Sequence, residues 1–378
     1  MTFYDYDGTV VAGYSTSDFA QLSALPANPT HTGLVAQGWN WSLSDAKTYV
    51  AKYGKLNIGQ MYVTQSGATE IDVIMQEGRL SPILTVCVDG MITVNWGDGT
   101  ESEMLVGTDL TYRLELPHTY AQAGNYTISI SATEDYKYRF YGSSSYTLLR
   151  KNTTENENKV YANTVQRIRI GNNAEIGNSA FYNCYSLSSV TIPDSTTSIE
   201  TGAFTYCYNL SSITIPDGVT SIESSAFYSC YSLTSVTIPD SVTNIGGSAF
   251  SYCYSLTDAT IPDGMTSINN YMFQNCYSIA SVIIPNTVTS ITASVFSTCS
   301  SLSSVIIPDG VTSIGNKAFQ NCYGVKEYHI LPTTVPTGGS TMFNNIPSDC
   351  IIYVPSASLN TYKTASNWST YASYMRGE

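Results

Sequence analysis

The chain has 378 residues, room for two or three domains, and 43% of them are hydrophobic, enough to fill their cores. Sixteen Lys and Arg against 29 Asp and Glu leave a net charge of −13, which argues against a nucleic-acid partner, since counterion release needs stripes of basic side chains. No apolar run is long enough to span a membrane, and Met1-Thr-Phe-Tyr-Asp-Tyr-Asp carries neither the basic nor the apolar part of a secretion signal.

Residues 1–67 read as a small α+β attachment region. Phe3–Tyr14 is expected to form a hairpin turning at Asp7-Gly8. After the Pro26/Pro29 loop comes Gly38-Trp39-Asn40-Trp41, then a short helix capped by Ser42 or Ser44, with Ala46, Tyr49, Val50 and Tyr53 on one face and Gly54 as its stop. Trp39 and Trp41 fit either a sugar platform or a strand with one Trp anchoring that helix. The segment resembles regions that precede leucine-rich repeats in proteins of gut Firmicutes and their prophages.

Residues 68–133 change to short strands at Glu70–Met75, Pro82–Val88, Ile92–Trp96 and around Tyr126, Ile128 and Ile130, a spacing that predicts a β-sandwich. Within it stand Val94-Asn95-Trp96-Gly97-Asp98-Gly99-Thr100 and His118-Thr119-Tyr120-x-x-x-Gly124-Asn125-Tyr126. Together these resemble the polycystic-kidney-disease (PKD) type of immunoglobulin-like domain, except that Trp96 lies directly before Gly-Asp-Gly. Asp98 and His118 are expected to fix a turn and a corner rather than to catalyse or bind metal. Residues 134–164, rich in Tyr, Ser, Asn and Glu, read as a linker and as the entry to a solenoid.

From 165 to 330 one phrase of 23 residues recurs. Cys184, Cys207, Cys230, Cys253, Cys276, Cys299 and Cys322 keep that step, as do Phe181 through Phe319 and Ile176 through Ile314. Each copy holds a Leu-x-x-Val-x-Ile-Pro run such as Leu187–Pro193, which predicts a solenoid of short parallel strands. Val190 and Ile192 alternate with Ser189 and Thr191, so one strand face goes inward. Pro193-Asp194 ends the strand, and Ala203-Phe204-x-x-Cys207 suits one helical or 3₁₀ turn on the convex side. The single-file cysteines are expected to be unpaired, small apolar packing. Because repeats draw stability from their neighbours, this solenoid is expected to fold without residues 68–133.

The wording I-P-D-x-V-T-x-I-x-x-x-A-F-x-x-C-x-x-L resembles the BspA-type leucine-rich repeats of bacterial surface proteins. Residues 331–378, with Ile351-Ile-Tyr-Val-Pro355, Ser356–Thr364, Asn367-Trp368-Ser369 and Tyr371, look like that family's C-terminal closure, and a last coil must hide its open face in any case.

No catalytic constellation is visible: His31, His118 and His329 lie in different regions, and no zinc, phosphate-loop or dinucleotide motif occurs. The aspartates at 194, 217, 240, 263 and 309 suit turn bonding better than a calcium ladder, because Asn286 interrupts them. The chain therefore reads as non-enzymatic, with no cofactor and no metal, and its function lies in its surface. The concave candidates are the outward strand positions Ser235, Thr237, Asp258, Thr260, Ser281, Ile283, Ser304, Ile306, Glu327 and His329. An alternative is the column after the cysteines, Tyr185, Tyr208, Tyr231, Tyr254, Tyr277 and Tyr323, broken by Ser300. The C-terminal cap could fold back over Ile283 and Ile306, which would remove them from use. The expected role is extracellular recognition of a host-surface protein or glycan, with residues 1–67 joining other virion or surface proteins and with no membrane insertion. A phage or prophage tail-associated receptor-binding protein comes first. The alternatives are a cell-surface adhesin and an accessory binding module of a carbohydrate-active system.

Overall fold

The computed structural model describes residues 2–4, 10–23, 26, 34–39, 47, 57–64, 67–132, 136–143, 147–151 and 160–378, which fall into two compact units, Met1–Ala68 and Thr69–Glu378.

In the first unit β1 (Thr2–Tyr4) pairs antiparallel with β2 (Val10–Gly13), as the hairpin pattern predicts, and parallel with β4 (Asn57–Thr64). β3 (Leu34–Trp39) completes a sheet in the order β2-β1-β4-β3. A short helix, α1 (Thr16–Ala20), starts where the Ser15 hydroxyl accepts from the Asp18 N–H at 3.1 Å, and it brings Phe19 beside Phe3 in the core. The Asp7-Gly8 turn, Trp41 and nearly all of the helix expected after it lie outside the described residues.

The second unit opens with β5 (Thr69–Met75), β6 (Ile83–Asn95), β7 (Glu103–Pro117) and β8 (Gly124–Ala132). Two strands expected over 82–88 and 92–96 are one strand, β6. Gly90 lets it bend without ending: its φ is +101° and the Tyr136 ring lies where a Cβ would stand. β7 escaped the sequence pattern because its alternation breaks at Asp109, whose carboxylate accepts from the N–H groups of Thr111 and Tyr112 and bulges the strand.

Within 134–164, read from the sequence as linker and solenoid entry, the described residues include two strands. β9 (Lys137–Phe140) and β10 (Leu149–Arg150) both pair with β6. Next, β11 (Val165–Arg169) pairs antiparallel with β5 on one side and parallel with Ser189–Thr191 on the other, and β12 (Ala174–Ile176) runs parallel to β9. The hydrogen-bonded path β12-β9-β6-β8-β5-β11 thus passes directly into the first coil. Arg169 holds that junction, with Nε 2.6 Å from Glu70 and both terminal nitrogens on Asp72 at 3.1 and 3.2 Å. The sequence offered no sign of this, because it pairs residues about a hundred positions apart.

Each following coil contributes two strands. The first row, from Ser189–Thr191 to Glu327–Ile330, has inward centres, buried except for the half-buried Val282, and outward flanks that are Ser and Thr in the early coils, as alternation predicts. A second row of two-residue strands, Ser198–Ile199, Ser221–Ile222, Asn244–Ile245 and their successors, stacks in parallel on the far side and buries the recurring Ile. Segments this short carry no readable period.

Of the helical or 3₁₀ turn expected at Ala203–Cys207, the structure has single i→i+3 bonded turns, Thr205 N–H to Gly202 C=O and Cys207 N–H to Phe204 C=O, that do not extend into a helix. Two left-handed residues per coil explain this, for example Gly202 at +64° and Tyr206 at +64°, or Ser225 and Ser229 at +58° and +60°. Such residues end a right-handed helix and turn their N–H groups toward the next coil. Phe181 N–H donates to Ala203 C=O at 2.8 Å, Phe204 to Ala226 at 2.8 Å and Phe227 to Ala249 at 2.8 Å.

Inside, Phe204, Phe227, Phe250, Phe273, Phe296 and Phe319 stack at 5.3 to 5.6 Å. Phe140 lies against the first end of this ladder through Phe181. At the other end Ile351–Val354 and Met375–Gly377 extend the first row, with α2 (Leu359–Thr364) between them. Trp368 is fully buried, packs on Phe343 and donates from Nε1 to Pro336 C=O at 2.7 Å, while the Tyr362 hydroxyl donates to Pro332 C=O at 2.7 Å. The closure read from the sequence is therefore in place.

Candidate recognition surface

Parallel pairing puts identical positions of successive coils side by side, so the outward residues form two rows. One runs Ser212, Ser235, then Asp258, Ser281, then Ser304, Glu327, Ile351. The other runs Thr214, Thr237, then Thr260, Ile283, then Ile306, His329, Tyr353, Arg376. Over the first coils both rows present hydroxyls. Toward the C terminus the second row turns apolar, and Ile283 is 82% and Ile306 53% exposed. The cap does not fold back over them.

Polar groups border this apolar pair. The His329 ring stacks on Tyr353 at 4.9 Å, its Nδ1 lies 2.9 Å from a Glu378 oxygen, and its Nε2 lies 3.5 Å from Glu327. Asp258 is exposed beside Ser281. The border is thus rich in carboxylates, with Arg376 next to Tyr353. Tyr353, Arg376 and Glu378 were missed in the sequence, although the Ile351–Val354 alternation already placed Tyr353 outward.

The tyrosine column is a true stack. Tyr185, Tyr208, Tyr231, Tyr254 and Tyr277 lie ring over ring at 4.4 to 4.9 Å and within 11° of parallel. Burial, then the neighbouring Tyr231, raises the Tyr208 phenol well above its usual value, and burial likewise raises Tyr254. Beside it runs a second column, Tyr182, Tyr206, Tyr228 and Tyr252, its rings 5.3 to 5.7 Å apart, the first two pairs edge to face and the last tilted. The sequence hid it because these residues fall alternately one and two places after the repeat phenylalanine, a slip that breaks the 23-residue register.

The other candidates are architectural. All nine cysteines are free and buried, and from Cys207 to Cys322 each thiol donates to the phenylalanine carbonyl of the preceding coil at 3.1 to 3.3 Å. Burial pushes Cys184 and Cys322 up to about 12 and Cys207, Cys230, Cys276 and Cys299 well above the usual thiol range, which leaves no nucleophilic thiolate. At the Gly-Asp-Gly turn, Gly97 adopts φ +76° where a Cβ would strike Thr127 C=O, and Asp98 accepts from Thr100. His118 Nε2 lies 2.8 Å from Asp98, its ring stacks on Trp96 at 4.5 Å, and Tyr120 donates to Trp96 C=O at 3.1 Å. Burial raises the Asp98 carboxyl, but the bonds from Thr100 and His118 outweigh it and hold it below the ordinary value. Among the described residues, no group of three or more His, Cys, Asp or Glu is placed to hold a metal. A shallow groove lined by Ser290, Thr292, Ser313 and Asn316 runs along the second row of strands, where Gly315 and Gly339 let coils approach closely.

A search of curated proteins found no match. Among solved structures, the chain is similar to a leucine-rich repeat protein from Bacteroides ovatus, at 29% identity over 51% of this chain and 56% of that one, with a TM-score of 0.44. It thus spans little more than half the length of that protein. It is also similar to the Treponema (T. pallidum) leucine-rich repeat protein, at 26% identity over 44% of this chain and 85% of that one, with a TM-score of 0.32. A leucine rich cell surface protein from Faecalibacterium prausnitzii is 24% identical over 57% of this chain and 72% of that one, with a TM-score of 0.26. The profile of the BspA type leucine-rich repeat region, in six copies, matches residues 174–303 and 289–369, just over half of the chain. With the 23-residue coil, its free-thiol ladder and its aromatic closure all in the structure, the chain belongs to the BspA-type leucine-rich repeat family.

Proposed function

We propose that the chain is a non-enzymatic adhesion protein that holds a partner on the C-terminal end of its concave strand row. The observation that carries this is Ile283, left 82% exposed beside Ile306 where the earlier coils of the same row present threonine hydroxyls. An exposed β-branched pair with a polar border costs solubility, and a partner's surface is what would offset that cost. The carboxylates of Asp258, Glu327 and Glu378 favour a partner that brings an apolar side chain flanked by basic residues, here a protein on an animal-cell surface. In this reading residues 68–133 are a PKD-like, immunoglobulin-type spacer and residues 1–67 an attachment region. A tail-associated receptor-binding protein of a phage would use the same face on another carrier, but no observation favours it over a cell-surface adhesin.

Beads coated with the full chain test this directly. Adhesion to epithelial cells, abolished by stripping their surface proteins with trypsin, is the expected result. Beads that bind bacterial cells and not epithelial cells would move the protein to a virion, and beads that bind neither would end the adhesion reading.

A further inference from the structure

β7 is an edge strand. Among the described residues it pairs with β6 alone, and no other strand or turn bonds to the backbone of 103–109. Its straight part ends at Asp109, opposite Val88, because the bulge makes Arg113 the next residue in register, opposite Cys87. Residues 103–109 therefore offer a ladder edge of about 20 Å. Proteins guard such edges with outward charges or proline. Here one face of the edge instead carries Met104 and Val106, 68% and 66% exposed, with Met91 of β6 beside Val106. The other face has Glu103 and Asp109 at its two ends, with Leu105, partly buried against the core, and Gly107 between them.

We infer that this edge takes a strand from a partner protein, an extended segment in which apolar residues alternate with lysine or arginine. The pattern follows from the pleat, since residues directly opposite in a ladder share a face. Apolar side chains of the added strand lie beside Met104 and Val106, and basic ones beside Glu103 and Asp109. Main-chain bonds give such a strand its affinity, and its alternate side chains give the specificity. A second copy of the chain fits poorly. An antiparallel pair centred on Leu105 sets Glu101 against Asp109, and one centred on Val106 sets Glu103 against Asp109. Like charges directly opposite are destabilising. The net charge of −13 likewise repels a copy and attracts a basic segment. This edge shares no residue with the concave strand row, and the inference does not rest on that reading.

The probe is the fluorescein-labelled peptide Lys-Val-Thr-Val-Thr-Val-Lys, whose pattern reads the same in both directions, titrated against the full chain by fluorescence anisotropy. Saturable binding is expected. Lys-Lys-Val-Val-Val-Thr-Thr keeps the composition without the alternation and should bind roughly tenfold more weakly, as should Glu-Val-Thr-Val-Thr-Val-Glu. Met104→Lys/Val106→Lys should lose at least the same factor at unchanged melting temperature, since both side chains are exposed. Ile283→Lys should leave the affinity unchanged. No binding, equal binding of the rearranged peptide, or an affinity untouched by the double variant would overturn the proposal. Loss of binding with Ile283→Lys would overturn it too, by placing the peptide on the concave row. So would a dimer of the full chain in sedimentation that the double variant dissociates, because the edge would then belong to a second copy.

Discussion

The cysteine that recurs in each coil shows how one residue serves packing, hydrogen bonding and pH response together. Its thiol is small enough for the core, donates to the carbonyl of the preceding coil and is held protonated by burial. An unfolded thiol ionises near pH 8.5, while the folded Cys184 and Cys322 do so only at about 12. A raised folded-state value means that the stabilisation is complete below the unfolded pKa and is lost as pH climbs through that window. Each thiol then contributes a slope of about 1.4 kcal/mol per pH unit. The urea midpoint should accordingly hold steady from pH 6 to 8 and fall steeply from 9 to 11. Cys253→Ala should flatten that fall, and an unchanged slope would show that the thiol ladder is not its source.

At the scale of elements, what could be read in the sequence was whatever repeats or alternates locally. The first strand row, the buried Phe, Ile and Cys columns and the aromatic closure were legible because each position is restated seven times or sits in a period of two. The second strand row was not, since Ser198–Ile199 and its equivalents are two residues long. At Ala203–Cys207 the single turn was legible but not where it stops, because the left-handed positions are filled by Ser, Asn, Tyr and Thr as well as Gly, so no glycine marks the break. The candidate face was half legible: Ile283 and Ile306 broke the Ser/Thr pattern visibly, but only the structure shows the cap leaving them bare. The closure itself makes a prediction. Trp368→Ala removes a buried ring that covers Phe343 and abandons the Pro336 carbonyl. It should cost about 3–5 kcal/mol. Hydrogen exchange should speed up first at the residues of 304–354, while the coils near 189–245 keep their protection.

Across the molecule, residues 69–378 share one core, and the strands ahead of the repeats act as the solenoid's first cap. β5 covers the free edge of β11, Phe140 lies on Phe181, and Glu70 and Asp72 hold Arg169. A fragment of residues 160–378 should therefore have a lower urea midpoint than 69–378 and should self-associate through the exposed edge of β11. Equal midpoints with a monomeric fragment would return these strands to the status of a separable domain. The functional claim is that a partner seats on the concave row at Ile283 and Ile306. Its most direct test is adhesion of beads carrying the Ile283→Lys/Ile306→Lys protein to epithelial cells, beside its melting temperature. The account predicts wild-type melting, since both side chains point to solvent, and adhesion reduced at least as far as loss of one hot spot of about 2 kcal/mol implies. Wild-type melting together with wild-type adhesion would contradict it.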